Sequence, residues 1–145
     1  MPLLPETLPY VMPATARLLY DSHYLQVAID VQNSWLYACW LGEIAQADLY
    51  KGVEVIVRIA QENGLSKLLN DNRYLTALRV TPADWYRSNG LKQLYTNGLH
   101  YVAWIYAPDM HARAMADGAM TKNIWPLTLT FEEYDVAVDW LRSMP

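Results

Sequence analysis

The sequence predicts an α/β fold built from βα units joined by right-handed crossovers and preceded by a β-hairpin. Three observations carry this prediction. Residues 24–30 and 35–41 are short β-rich runs separated by the polar break Gln32-Asn33-Ser34, the pattern of a hairpin. Residues 46–63 switch to a helical period, and from there strand-like and helix-like stretches alternate to the end of the chain.

Each element has its own signal. Residues 1–14 carry proline at positions 2, 5, 9 and 13, which cannot supply a regular ladder of donors, so an extended arm is expected there, followed by one domain over 15–145. Leu3, Leu4, Leu8, Tyr10, Val11 and Met12 suit an arm lying on this subunit or a neighbour, although a partly ordered terminus fits as well. A first β-rich run covers 17–20. In the run 35–41, Trp35, Tyr37, Cys39 and Leu41 share one face and Leu36, Ala38 and Trp40 the other, which predicts a central strand. Gly42 ends it.

In 46–63 the stripe Leu49, Val53, Ile56 and Ala60 opposes Asp48, Lys51, Glu54, Arg58, Gln61 and Glu62. Glu54 and Arg58 stand in the favourable i,i+4 order, and Asn63-Gly64 supplies a left-handed stop. Ala45 stands where a hydroxyl cap would be expected. A strand through Leu68 is predicted to end near Asp71. Thr81-Pro82-Ala83-Asp84 then opens a helix with a cap hydroxyl, a proline at the first helical position and an acid at the third. Asn89-Gly90 predicts an irregular middle and Asn97-Gly98 an end. Residues 99–106 read as a strand with apolar residues on both faces, and a short helical piece bearing Met110, Met115 and Met120 follows. Residues 127–129 read as a last strand, and Thr130-Phe131-Glu132-Glu133 has the form of a capping box opening a final helix.

Composition narrows the function. A chain of 145 residues suits one domain with a continuous core, and 53% hydrophobic with 18% charged residues argues against extended disorder. The net charge is −4 and the Lys and Arg residues are scattered singly, so nucleic acid is not an expected partner. The single cysteine, Cys39, has no mate, which points to the cytosol. No cationic start precedes an apolar region, so no signal peptide is expected, and no window approaches the ~20 apolar residues of a membrane helix. His23, His100 and His111 share no ligand spacing, and Ser22 and His23 point to opposite faces if they lie in a strand, so neither a metal centre nor a catalytic residue nor a cofactor is expected.

Several segments together resemble a family. Trp40-Leu41-Gly42 before the first helix, Asp71-Asn72-Arg73, Thr81-Pro82 with Trp85 one turn on, the return strand at 98–103, and Ala137 with Trp140-Leu141 are similar in order and spacing to small bacterial STAS-like proteins. These share the fold of the sporulation anti-sigma factor antagonist and are often grouped with SEC14-type domains. The resemblance implies a SpoIIAA-like superhelix of βα units, a mixed sheet with an N-terminal hairpin, helices mainly on one face, and frequent self-association. It implies a non-enzymatic interaction or regulatory module, or, through the SEC14 association, a carrier or sensor of a small apolar ligand or lipid. Better known STAS domains are switched by phosphorylation of a serine in an Asp-Ser motif at the start of a helix after a central strand. Here that place has no such motif, and the nearest hydroxyl is Thr81.

The candidate interaction or switch residues are therefore Asp71, Arg73, Thr81 and Trp85. Asp71 and Arg73 could grip a partner's carboxylate at a sheet edge, Arg offering a rigid fork of donors, or Asp71 could shape its own loop while Arg73 pairs nearby. Thr81 could accept phosphate at the positive end of a helix, or serve as a plain N-cap. Six Trp and eleven Tyr against one Phe favour half-wet pockets and interfaces over a dry core. With Met110, Met115 and Trp125 they form a candidate apolar pocket beneath 108–126. The expected partners are a second copy of the chain, another protein, or a small apolar ligand.

Overall fold

A computed structural model describes residues 16–145, and the expected proline arm lies outside the described residues. The elements run β1 (Ala16–Asp21), β2 (Leu25–Asp30), β3 (Trp35–Trp40), β4 (Gly42–Ala45), α1 (Gln46–Asn63), β5 (Lys67–Asp71), β6 (Leu75–Arg79), α2 (Pro82–Ser88), α3 (Gly90–Thr96), β7 (Tyr101–Ile105), α4 (Met110–Lys122), β8 (Leu127–Phe131) and α5 (Tyr134–Ser143). Six strands form one sheet in the order β1-β2-β3-β5-β7-β8. The first three are antiparallel, and β3, β5, β7 and β8 are parallel.

This order decides where the helices go. From β3 the chain steps to β5, β7 and β8 always in the same direction, so right-handed crossovers place every connecting helix on one face. Residues of α1, α2, α3 and α4 accordingly pack with Leu36, Trp40, Leu68 and Val102 on that face. Among the described residues the other face is covered by α5, where Ala137 and Leu141 meet Tyr37, Cys39, Leu69 and Ile105. The expectation of helices mainly on one side holds. Strand β3 is buried along its whole length between β2 and β5, as its two apolar faces predict.

Local chemistry sets the joints. The buried Asp30 carboxylate closes the β2–β3 turn by accepting the N–H groups of Gln32 (3.1 Å) and Asn33 (3.0 Å) and the Asn33 side-chain amide (2.9 Å). At the start of α1 the missing hydroxyl cap is offset from the other direction, because Asp48 accepts the N–H of Ala45 at 3.0 Å. Gly64 ends α1 at φ +62°, the left-handed stop that a side chain would oppose. The helix expected from Thr81 to Asn97 breaks into α2 and α3 at Asn89, which adopts φ +55°.

One expectation fails, and two strands carry no sequence signal. Residues 42–45 and 75–79 form short strands: at Gly42 (φ +68°) and after the 72–74 turn, the neighbours β3 and β5 each resume, as β4 and β6, which pair parallel in a separate ribbon. The proposed capping box at 130–133 does not form. Thr130 and Phe131 are instead held in β8 opposite Trp104 and Ile105, and α5 starts one residue after Glu133, which provides no side-chain cap. A ladder to a neighbouring strand outweighs one local cap bond.

Candidate functional site at the end of strand β5

The segment Asn70-Asp71-Asn72-Arg73 sits where the parallel strands end, and alternation along a strand divides it between the two faces. Leu68 belongs to the core under α1, and Leu69 to the core under α5. Continuing that alternation, Asn70 and Asn72 look toward α1–α4 while Asp71 looks toward α5. Asn72 remains in register after the strand, its N–H donating to the carbonyl of Ile105 at 3.2 Å.

On the α5 face, Asp71 is 0% exposed. Its carboxylate accepts the Tyr37 hydroxyl at 2.5 Å, the backbone N–H of Arg73 at 3.0 Å, and the Arg73 guanidinium through Nε at 3.0 Å and Nη2 at 2.8 Å. The guanidinium lies over the ring of Tyr134, 4.8 Å from its centre, and near that of Tyr74 at 5.5 Å. Arg73 therefore pairs with Asp71 itself, one of the two arrangements the sequence left open. Burial works against its charge, but the hydrogen bonds and charge of Asp71 outweigh that and raise its pKa. Burial pushes the Tyr37 hydroxyl far up, reinforced by the nearby Cys39 and Asp71 groups. It does the same to the thiol of Cys39, which stands opposite Asp71 in the β3–β5 register. Tyr134 is pushed up to about 12, by burial first and the Asp71 charge second. Both oxygens of the carboxylate are engaged.

The opposite face is built differently. The Trp40 indole N–H donates to Asn70 Oδ1 at 2.9 Å, and Asn72 Nδ2 donates to the carbonyl of Ile105 at 3.1 Å. Both amides border a cavity of about 1180 Å³ between the sheet and α1–α4. Trp40, Leu68, Trp85, Trp104, Met115 and Trp125 make most of its wall apolar. Gly52 of α1 makes room for the Trp40 ring, since a Cβ there would overlap Cη2 and Cζ3. Such a volume lies just above the usual ~300–1,000 Å³ of small-molecule sites.

The other candidates fall at separate places. Thr81 Oγ1 accepts the N–H of Asp84 at 3.1 Å as the cap of α2. Trp85 donates its indole N–H to the carbonyl of Met115 at 2.9 Å and meets Trp104 edge to face, with ring centres 6.4 Å apart. This ties α2 to α4 across the cavity. Met115 and Trp125 line the cavity, whereas Met110 is an exposed side chain at the start of α4. Trp125 stacks on Tyr95 of α3 at 5.9 Å. Among the described residues no group of His, Cys, Asp and Glu is arranged to hold a metal, and no helix is long and apolar enough to cross a membrane. The sequence places Asn70 and Asn72 in the polar run 70–73 at the end of a strand without separating them from Asp71 and Arg73, and it gives Tyr37 no part in the site. The signal was present, because period-two alternation through 67–73 separates the amides from the acid.

No protein-family model matches the chain, and no curated protein does. Solved structures do. An uncharacterised protein of the DUF3478 family from Shewanella loihica, described as having a SpoIIAA-like fold, superposes with a TM-score of 0.56 at 19% identity, covering 85% of this chain and 98% of that one. The anti-sigma factor antagonist SpoIIAA in its unphosphorylated form superposes with a TM-score of 0.52 at 10% identity, covering 89% and 99%. This chain has the SpoIIAA-like fold. The Asn70–Arg73 segment thus lies at the carboxyl ends of the parallel strands of that fold, where open α/β sheets commonly place ligand sites.

Proposed function

We propose that the chain is a non-enzymatic regulatory module that acts by pairing with protein, in the bacterial cytosol, with a second copy of itself as the first partner. The observation that carries this reading is edge strand β8. It ends the sheet order, and Leu127 and Leu129 on it are exposed, as are Ile124 and Trp125 just before it. An exposed apolar edge is a template for pairing. The SpoIIAA-like fold supports the regulatory part, since one protein of that fold is an anti-sigma factor antagonist. The non-enzymatic part is supported by the same likeness of fold, to a protein described as an anti-sigma factor antagonist. A free, buried Cys39 suits a reducing compartment. Light scattering at micromolar concentration is expected to give twice the chain mass, and Leu127→Lys with Leu129→Lys to give a folded monomer. A wild-type monomer at every concentration would remove self-pairing, and equal partner binding by the lysine variant would remove the β8 surface.

The cavity favours a second reading, a carrier or sensor of a small apolar ligand. Its support is the volume of about 1180 Å³ behind a largely apolar wall. Native mass spectrometry of the purified chain is expected to show a bound apolar molecule, and binding of no apolar probe would dismiss this reading.

A further inference from the structure

The two amides at the cavity floor each retain an unused hydrogen-bonding group, and their chemistry is fixed by the partners they already have. An indole N–H can only donate, so the Asn70 atom facing Trp40 is its oxygen, and the amide nitrogen is the one left over. A backbone carbonyl can only accept, so the Asn72 atom facing Ile105 is its nitrogen, and the oxygen is left over. Among the described residues neither Asn70 Nδ2 nor Asn72 Oδ1 has a partner. Asn70 is 5% exposed and Asn72 4%, and no side-chain nitrogen or oxygen is sealed in packed protein without a partner. Since both residues line the cavity, these free groups open into it. Asn72 keeps the register of β5 through its N–H to Ile105, and side chains two apart in that register share a face, so a donor and an acceptor lie on the same side of the sheet, toward a largely apolar chamber.

A buried polar group without a partner costs on the order of 1–3 kcal/mol, which a bound ligand or water recovers. The charge state of the occupant also follows. Asp71 and Arg73 are turned to the other face and neutralise each other, and the charged residues that line the cavity, Arg87 and Lys92, are exposed at its rim. An ionised group at the floor would lose its water without gaining a counter-ion.

We infer that Asn70 and Asn72 form the polar end of a binding site for an uncharged, mostly apolar molecule whose head carries a carbonyl oxygen beside an N–H or O–H, as in a primary amide or an undissociated carboxylic acid. The carbonyl accepts from Asn70 Nδ2, the N–H or O–H donates to Asn72 Oδ1, and the apolar remainder lies along Trp40, Trp104 and Met115. This rests on the apolar-ligand reading above and adds the chemistry of the head.

The test uses the full chain loaded with Nile red, a neutral apolar dye, displaced by decanamide, N,N-dimethyldecanamide or decane. Decanamide offers both carbonyl and N–H, the dimethyl amide only the carbonyl, and decane neither. Decanamide is expected to half-displace the dye at a concentration at least about tenfold below the dimethyl amide, with decane weakest, because each unmatched group leaves a buried partner unpaired. Asn70→Asp keeps an oxygen for Trp40 while replacing the free amide donor, and is expected to lose the preference for decanamide over decane. Equal displacement by all three compounds in the wild type would overturn the head-group assignment and leave the apolar-ligand reading standing. Failure of Nile red and all three compounds to bind would overturn both. Should Asn70→Asp not fold, the wild-type ranking decides alone.

Discussion

The two faces of the sheet at the end of β5 carry the same kind of residue to opposite ends. Toward α5, Asp71 accepts four hydrogen bonds, from Tyr37 and from three nitrogens of Arg73, and its carboxylate has no lone pair left over. Toward α1–α4, Asn70 and Asn72 each use one atom to hold position and leave the other open to the cavity. A buried charge must be paired completely or it destabilises the fold, whereas a buried amide tolerates partial pairing when space adjoins it. Charge therefore lies on the face where it is paired, and neutral amides lie on the face that borders the cavity.

The largest effects are expected on the charged face. Asp71→Ala leaves the Tyr37 hydroxyl and the guanidinium without their acceptor and should lower stability by about 3–5 kcal/mol in urea unfolding. A double-mutant cycle with Asp71→Asn and Arg73→Met should give a coupling of about 1–3 kcal/mol. A cost below about 1 kcal/mol, with lost partner binding, would move this pair from structure to recognition.

The same face limits stability at alkaline pH. The pKa of Tyr37 is raised from 10.0 and that of Tyr134 from 10.0 to about 12, so in the folded state the neutral phenols are favoured. Their contribution is fully present below pH 10, the unfolded value, and is lost as pH rises through the folded values. Absorbance near 295 nm should show these tyrosines ionising together with unfolding, and their ionisation in a still folded chain would contradict the buried cluster.

On the cavity face the effects are smaller. Gly52→Ala puts a methyl into the Trp40 ring, which is held to Asn70, and should cost about 1–3 kcal/mol with a shift in tryptophan emission. A neutral substitution would mean that the ring can move aside. Smaller still, Thr81→Ala should cost ~1 kcal/mol by loss of the cap to Asp84, with Thr81→Ser nearly silent. Stoichiometric phosphate on Thr81 in protein from the native host would contradict a purely structural role.

Much of this architecture was legible in the chain. The two apolar faces of 35–41 placed β3 at the centre, the stripe of Leu49, Val53, Ile56 and Ala60 defined α1, and Thr81-Pro82 marked the start of α2, because each depends on neighbours in sequence. What depends on register between distant strands was not legible. Ribbon β4–β6 exists only through the pairing of 42–45 with 75–79, segments far apart in the chain. The Thr130 motif is a valid local cap that a partner strand overrides. At the site, residues 70–73 read as one polar cluster. The pairing of Tyr37 with Asp71, and of Trp40 with Asn70, follows only once β3 and β5 are aligned with Ala38 opposite Asn70 and Cys39 opposite Asp71.

A single nitrogen-15 spectrum can observe both faces at once, through the side-chain amides of Asn70 and Asn72 and the Nε–H of Arg73. Titration with decanamide is expected to shift the two amide signals together while the Arg73 signal, held by Asp71, stays in place and exchanges slowly with solvent. Movement of the Arg73 signal with silent amides would contradict the division of labour between the two faces.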